Sequence, residues 1–347
     1  MADDPSTAQI HPPGFDADRL DRFLRTSIPG LQGPMTLERI AGGQSNPTFF
    51  VSYETRQLVL RKQPPGELLP SAHAIDREYR VIGALKKAGV LVPTVVLYCE
   101  DREVIGTPFY IMDRLEGRVF HDGALPGLSS DERRLMYRSH AQALAALHNI
   151  DPASVGLADY GKSGNYFARQ IARWTKQWEL SRTREDANIG RLIEWLPKNI
   201  PDDDATVVTH GDYRIGNVMF HPQEPRVIAI LDWELSTLGH PLADLAHACM
   251  GWHSAPHEYG GLRGLDLSAL GIPSETEFTE AYYGAANHGL RMTRFHMAFA
   301  LFRFAVIFEG IAARAKAGNA ADANAASVGP LAASFAQHAV DALSRER

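Results

Sequence analysis

The feature that most constrains this chain is a change of hydrophobic period near Gly117. Before it, apolar residues fall in short runs broken by turn residues. The stretch LERIAGGQSNPTFFVSYETRQLVLRKQ reads as three strands. Gly42, Gly43, Gln44, Ser45 and Asn46 turn the first into the second, and Thr55, Arg56 and Gln57 turn the second into the third. A helix follows, with Ile75, Tyr79, Ile82 and Leu85 recurring at three or four and Gly89 as its stop. Further strands are expected around 94–99 and 108–115, and a helix over 16–27 precedes them all. Beyond Gly117, SSDERRLMYRSHAQALAALHN opens on a Ser or Asp cap and runs as a long amphipathic helix. Residues 160–200 read as helices carrying Trp174, Trp178 and Trp195, and 275–347 as mostly helical. The expected architecture is therefore α+β and two-lobed. A tail and helix (1–29) lead into an antiparallel N-lobe with one helix (30–116), then a mainly helical C-lobe (117–347), with a hinge at 116–118.

Composition narrows the function classes. A length of 347 residues suits two lobes, and 45% hydrophobic content supplies a core. A net charge of -6 argues against a dedicated nucleic-acid binder. No run approaches the roughly 18 apolar residues of a spanning helix. The acidic, proline-rich N-terminus has neither the basic nor the apolar region of a signal peptide. Cys99 and Cys249 lie in separate segments, as expected in a reducing cytoplasm. The expected partner is a small molecule, with no nucleic acid or membrane, for a monomer or homodimer.

Chemistry concentrates in THGDYRIGNVMF (209–220) and VIAILDWE (227–234). Phosphoryl transfer from ATP requires a carboxylate to orient the attacking hydroxyl and take its proton. It requires an amide oxygen and a second carboxylate for Mg2+, and a cation, held by an acid, on the α- and β-phosphates. Asp212 and Asn217 stand at the five-residue offset of such a catalytic loop, and Asp232 ends the following apolar run. Upstream, LVLR would be the cation-bearing strand, with Glu78 on the next helix as partner. Strand alternation lets only one of Arg61 and Lys62 face a nucleotide; counting along the strand favours Arg61, and a shifted register would favour Lys62. Gly42, Gly43 and Ser45 in the first turn could approach phosphate. The backbone around Met112 and Arg114, where the lobes would join, could meet adenine. Each part alone has a bland reading, as a hairpin turn, a surface charge or a strand end. Their joint order carries the signal.

These motifs, continued as ELSTLGHPLADLA, resemble the aminoglycoside phosphotransferase-like kinases, which include choline and methylthioribose kinases and share the two-lobed protein-kinase fold. The resemblance spans roughly residues 30–310. GGQSNPTFF and LVLRKQPPGELLPSAHAIDREYR are similar to a narrower subset. That subset holds bacterial proteins and the kinase-like part of acyl-CoA dehydrogenase fusion proteins, which act on 4-hydroxyacyl-CoA thioesters. The resemblance implies Asp212 as catalytic base, Asn217 and Asp232 as Mg2+ ligands, and His210 as a brace of the loop. It implies Asp244 as the buried acid bonded to the loop backbone, and leaves Glu234 as either a brace or a ligand. Many relatives carry lysine where Arg61 stands.

Rival readings are a zinc hydrolase, an inactive kinase-fold binding protein and an aminoglycoside phosphotransferase. Histidines 210, 221, 240, 247, 253 and 257 cluster, but without an H-E-x-x-H motif they read as core or surface residues. No base or ligand is missing, as an inactive scaffold would show. Between 160 and 200, eight lysines and arginines face four acids, a positive surplus in a negative chain. That disfavours a cationic antibiotic and favours a hydroxyacyl-CoA, with Arg169 and Arg173 as candidate acceptor contacts. The bland alternative is a set of solvated helix faces.

Overall fold

The structure is a computed structural model, and it describes residues 14–40, 46–66, 73–316 and 325–344. Gly42, Gly43 and Ser45 lie outside the described residues. The chain divides into two compact units, one of residues up to 86 together with 93–116, the other of 87–92 together with 117 onward.

The first unit is built on a five-stranded antiparallel sheet. Its elements are α1 (Ala17–Ser27), β1 (Thr36–Arg39), β2 (Thr48–Ser52), β3 (Gln57–Lys62), α2 (Ile75–Lys87), β4 (Val95–Cys99), α3 (Arg102–Ile105) and β5 (Phe109–Asp113), in sheet order β1-β2-β3-β5-β4. Asp16 caps α1 by accepting from the Arg19 N–H at 3.0 Å. Leu20 and Leu24 of α1 are fully buried in a cluster with Phe49, Val51, Leu58, Leu60, Phe109 and Ile111. Leu58 and Leu60 therefore set one face of β3, and the two-residue period puts Lys62 on that face and Arg61 on the other.

The second unit runs α4 (Ser130–His148), α5 (Tyr166–Ser181), α6 (Ala187–Trp195), β6 (Val207–Thr209), β7 (Val218–Phe220), β8 (Val227–Ile230), β9 (Thr237–Gly239), α7 (Pro241–Cys249), α8 (Pro256–Tyr259), α9 (Leu267–Leu270), α10 (Glu275–Tyr283), α11 (Arg294–Lys316) and α12 (Ala325–Ser344). Ser129 and Glu132 close a capping box on α4. The short strands pair as β6–β9 and β7–β8, both antiparallel. Strand β9 was not expected, since Thr-Leu-Gly has no alternation to announce it.

One sequence expectation needs correction. Helix α11 is long and apolar enough to meet the length and composition of a spanning segment, and 78% of its apolar window is buried inside the fold. Arg303 and Glu309 interrupt it in sequence, yet both find partners inside. Arg303 donates to the Gly211 carbonyl at 2.7 Å, and Glu309 accepts from the Thr183 N–H at 2.6 Å and its hydroxyl at 2.8 Å.

Candidate active site

The loop after β6 is held from below by one acid. Asp244, 2% exposed in the first turn of α7, accepts from the His210 N–H at 2.6 Å and the Gly211 N–H at 2.9 Å. His148 of α4 reaches the same carboxylate at 3.3 Å. Burial alone would raise the Asp244 pKa; His148, His210 and the Gly211 N–H outweigh it and hold the acid below its ordinary value. Gly211 has φ +85°, and a Cβ there would meet the Leu235 carbonyl oxygen at 2.6 Å, so both conformation and space demand glycine. Tyr213 is fully buried and donates to the His140 carbonyl at 2.8 Å, which anchors the far side of the loop.

His210 stitches the loop to the turn after β8. Its Nδ1 accepts from the Asp212 N–H at 3.2 Å and its Nε2 meets the Leu231 carbonyl at 2.8 Å. The Leu231 N–H in turn donates to the Asn217 carbonyl at 2.8 Å. Asn217 and the start of the Asp232 turn are thus joined directly. Asp232 is exposed and sits at φ +63°, a left-handed conformation that aspartate tolerates better than most residues. Glu234 is exposed as well.

The Asp212 carboxylate has a partner on each oxygen. The Asn217 side-chain nitrogen donates to Oδ2 at 2.7 Å and to the Asp212 carbonyl at 2.8 Å. Arg214 Nε approaches Oδ2 at 3.4 Å, and His247 Nε2 approaches Oδ1 at 3.0 Å. Burial pushes the Asp212 pKa up, but His247, Arg214 and His210 together hold it well below the usual carboxylate range. Burial lowers the pKa of His247, and the neighbouring Asp212 carboxylate opposes that shift. Sequence reasoning read His247 as a core or surface histidine; it is buried, and it also stands against Asp212. The signal was available: His247 lies three residues after Asp244, on the same face of α7 and one turn further along.

With its nitrogen bonded to Asp212, Asn217 has the amide oxygen to offer a cation. That oxygen and the Asp232 carboxylate are hard donors, a set that fits Mg2+.

In the sheet unit, Arg61 Nε pairs with Glu78 Oε2 at 2.8 Å. Glu78, 2% exposed, also accepts from Asn46 at 2.8 Å and from the Tyr110 hydroxyl at 3.1 Å. His73 Nδ1 meets Asn46 Oδ1 at 3.0 Å and extends the network. Lys62 is buried on the opposite face, 5.6 Å from the Phe15 ring, where burial lowers its pKa. Met112 pairs with Val59 in the sheet. The Arg114 N–H donates to the Gln57 carbonyl at 3.1 Å, and its guanidinium lies 3.7 Å over the Phe50 ring.

Arg169 and Arg173 lie on α5. Arg169 donates to the Lys162 carbonyl at 2.6 Å, and Arg173 stacks 5.3 Å from the Trp174 ring. Arg303, which sequence reasoning missed, stacks on the same indole at 5.6 Å while holding Gly211.

A small antiparallel sheet with a buried Arg–Glu pair, and a helical unit whose His-Gly-Asp loop is bonded to an Asn and an Asp turn, define the class of kinase-like phosphotransferases. The chain belongs to the phosphotransferase enzyme family (APH), whose model matches residues 36–274. It is 42% identical over 336 residues to acyl-CoA dehydrogenase family member 10 of Mus musculus. That match covers 95% of this chain and 31% of the mouse protein, so the chain spans less than a third of that relative's length. A solved chain from Ralstonia eutropha JMP134, classed provisionally as an aminoglycoside phosphotransferase, superposes with a TM-score of 0.85 at 43% identity, covering 94% of this chain and 99% of that one. A thermostable variant of the aminoglycoside phosphotransferase APH(4)-Ia, in ternary complex with AMP-PNP and hygromycin B, shares the fold. Its TM-score is 0.62 at 14% identity, over 93% of this chain and 99% of that one.

Proposed function

We propose that this phosphotransferase moves the γ-phosphoryl group of ATP to the hydroxyl of an anionic acceptor, a hydroxyacyl-CoA. The observation that carries the acceptor class is the cationic flank of the loop. Arg303 touches the residue before Asp212 and shares the Trp174 indole with Arg173. The charges of Arg303, Arg173 and Arg169 all reach Tyr166, whose pKa burial raises and they oppose. A polyphosphate-bearing thioester is drawn to such a surface, and a polycationic antibiotic is repelled. The acyl-CoA dehydrogenase name of the mouse relative supports the acyl-CoA acceptor, and the AMP-PNP bound by the distant structural neighbour supports ATP as the donor.

In this reading Asp212 orients the acceptor hydroxyl. A carboxylate held so low is a poor base toward a resting alcohol, so it takes the proton as the oxygen–phosphorus bond forms and the bond to the departing ADP breaks. Arg61, steadied by Glu78, is the cation offered to the α- and β-phosphates. Asn217 and Asp232 would hold Mg2+, which when bound neutralises phosphate charge. His210 and Asp244 keep the loop in place.

Labelled ATP offered with 4-hydroxyacyl-CoA or with kanamycin tests the acceptor. Transfer is expected to the thioester alone; robust transfer to kanamycin with none to the thioester would reject this acceptor. Asp212→Asn should lower kcat by about a hundredfold or more with the nucleotide KM nearly unchanged. Full turnover in that variant would remove Asp212 as the base.

A further inference from the structure

A cavity of about 410 Å³ opens in the helical unit beside the loop. Its walls include Trp252, Leu262, Met250 and Phe335, together with Arg214 and His247, the two residues that approach the oxygens of Asp212. The volume lies within the range of small-molecule sites, roughly 300–1,000 Å³.

The polar atoms of this wall divide into two kinds. The Tyr137 hydroxyl donates to the Gly123 carbonyl at 2.6 Å, and the Trp252 indole N–H donates to the Pro273 carbonyl at 2.9 Å. His140 is different. It is 2% exposed, it stacks on Tyr213, and neither ring nitrogen has a hydrogen-bond partner among the described residues. His247 Nδ1 likewise has no hydrogen-bond partner among the described residues, while its Nε2 stands 3.0 Å from the Asp212 carboxylate. Buried imidazoles are ordinarily hydrogen-bonded, so His140 with both nitrogens open, beside His247 with Nδ1 open on the same cavity wall, points to a ligand that completes them. The ligand must be apolar along most of its length and carry an oxygen that an imidazole can bond. Arg214, the one arginine in the wall, is already turned toward Asp212.

We infer that this cavity receives the hydrocarbon chain of the acceptor, with the reacting hydroxyl at the His247–Asp212 edge and a second oxygen at His140. The inference rests on the acceptor reading above and adds to it a chain-length selection built into the helical unit. Gly251 gives a handle. A Cβ there would meet only Leu262, at 3.9 Å, so a side chain can enter the cavity without a backbone clash.

Calorimetric titration of the full chain with straight-chain acyl-CoAs that lack the hydroxyl, butanoyl to dodecanoyl, separates the two readings. Affinity should climb by about fourfold per methylene and then level once the cavity is full. Gly251→Leu should flatten the climb, costing long chains at least tenfold more than butanoyl-CoA. Leu262→Ala should move the levelling point to longer chains. The kcat/KM of the matching 4-hydroxyacyl-CoAs should follow the same profile. A chain-length climb without phosphoryl transfer to any hydroxylated thioester would leave the cavity assignment standing and reject the acceptor reading. A flat profile in the unaltered protein, or a Gly251→Leu loss equal at every length, would overturn the cavity assignment even if transfer is seen.

Discussion

Each unit of this protein hangs a piece of its site on one buried carboxylate, and the two do so differently. Glu78 in the sheet unit holds side chains, namely Arg61, Asn46 and Tyr110. Asp244 in the helical unit holds backbone, the N–H groups of His210 and Gly211, with His148 behind it. Side chains can re-pair or turn to water when their acceptor is lost. Backbone N–H groups committed to a tight loop cannot, and leaving them buried without acceptors carries the full desolvation penalty. The sheet unit thus tolerates adjustment of its cation, while the helical unit fixes its loop as part of the fold.

That contrast has its largest consequence at Asp244. Asp244→Ala removes two charge-assisted bonds to backbone, and the expected loss is about 4 kcal/mol of stability, read from denaturant midpoints. Activity should fall with it. Glu78→Gln keeps one acceptor oxygen, enough for the Asn46 amide, and replaces the oxygen facing Tyr110 and Arg61 with an NH2 to which the Tyr110 hydroxyl can turn as acceptor, while the charge opposite Arg61 is lost. Because the Arg61 side chain retains 13% exposure, the expected stability loss is smaller, about 2 kcal/mol. Its main effect should be a nucleotide KM raised by about tenfold, from the loss of a steadied cation. Equal destabilisation by the two substitutions would remove the distinction between a backbone-holding and a side-chain-holding acid.

The same contrast explains what could be read from sequence. Arg61 and Glu78 sit on neighbouring elements, and the alternation of Leu58, Leu60 and Lys62 on one face of β3 is visible as a pattern. Asp212 and Asn217 lie within one loop at a spacing set by chemistry, and here they are bonded to each other. What surrounds Asp212 is another matter. His140 comes from α4, His247 from α7 and Arg303 from α11, stretches separated by many tens of residues. Their apolar neighbours make them look like ordinary members of buried helices. Only the packing of α4, α7 and α11 shows which helix faces meet the loop. Asn46 and His73 escaped notice for the opposite reason, since isolated polar residues near turns have many ordinary roles.

A third test lies within the helical unit. His140 is fully buried, and burial lowers its pKa from the ordinary 6.5 to about 3. Between those values the unfolded chain binds a proton that the folded chain refuses, so stability falls as the pH drops below 6.5. The slope from this one group reaches at most about 1.4 kcal/mol per pH unit. His140→Phe keeps a flat ring for the stack on Tyr213, where the ring centroids are 4.6 Å apart. Denaturant melts from pH 7 to pH 4 should therefore lose that slope in the variant. An unchanged acid limb would show that His140 is protonated without penalty. The open imidazole of the cavity wall would then no longer be a neutral group awaiting a ligand.

The smallest stability effect is expected on α5, where charge works through solvent. Arg169 is half-buried and donates to the loop carbonyls of Lys162 and Ser163, and exposed Arg173 lies against Trp174 on the same helix. Reversing both to glutamate should change stability by no more than about 0.5 kcal/mol, because neither holds a buried partner. The functional effect should be selective. The KM for a CoA thioester should rise several-fold while the ATP KM stays nearly level, since Arg61 and the loop residues proposed to serve the nucleotide are untouched. The gap between unaltered and reversed protein should narrow as salt rises and screens the field, over a Debye length of roughly 10 Å at 0.1 M. Equal increases in both KM values would place the two arginines in a general effect on the fold. A salt-independent gap would assign them a direct, desolvated contact with the acceptor in place of steering.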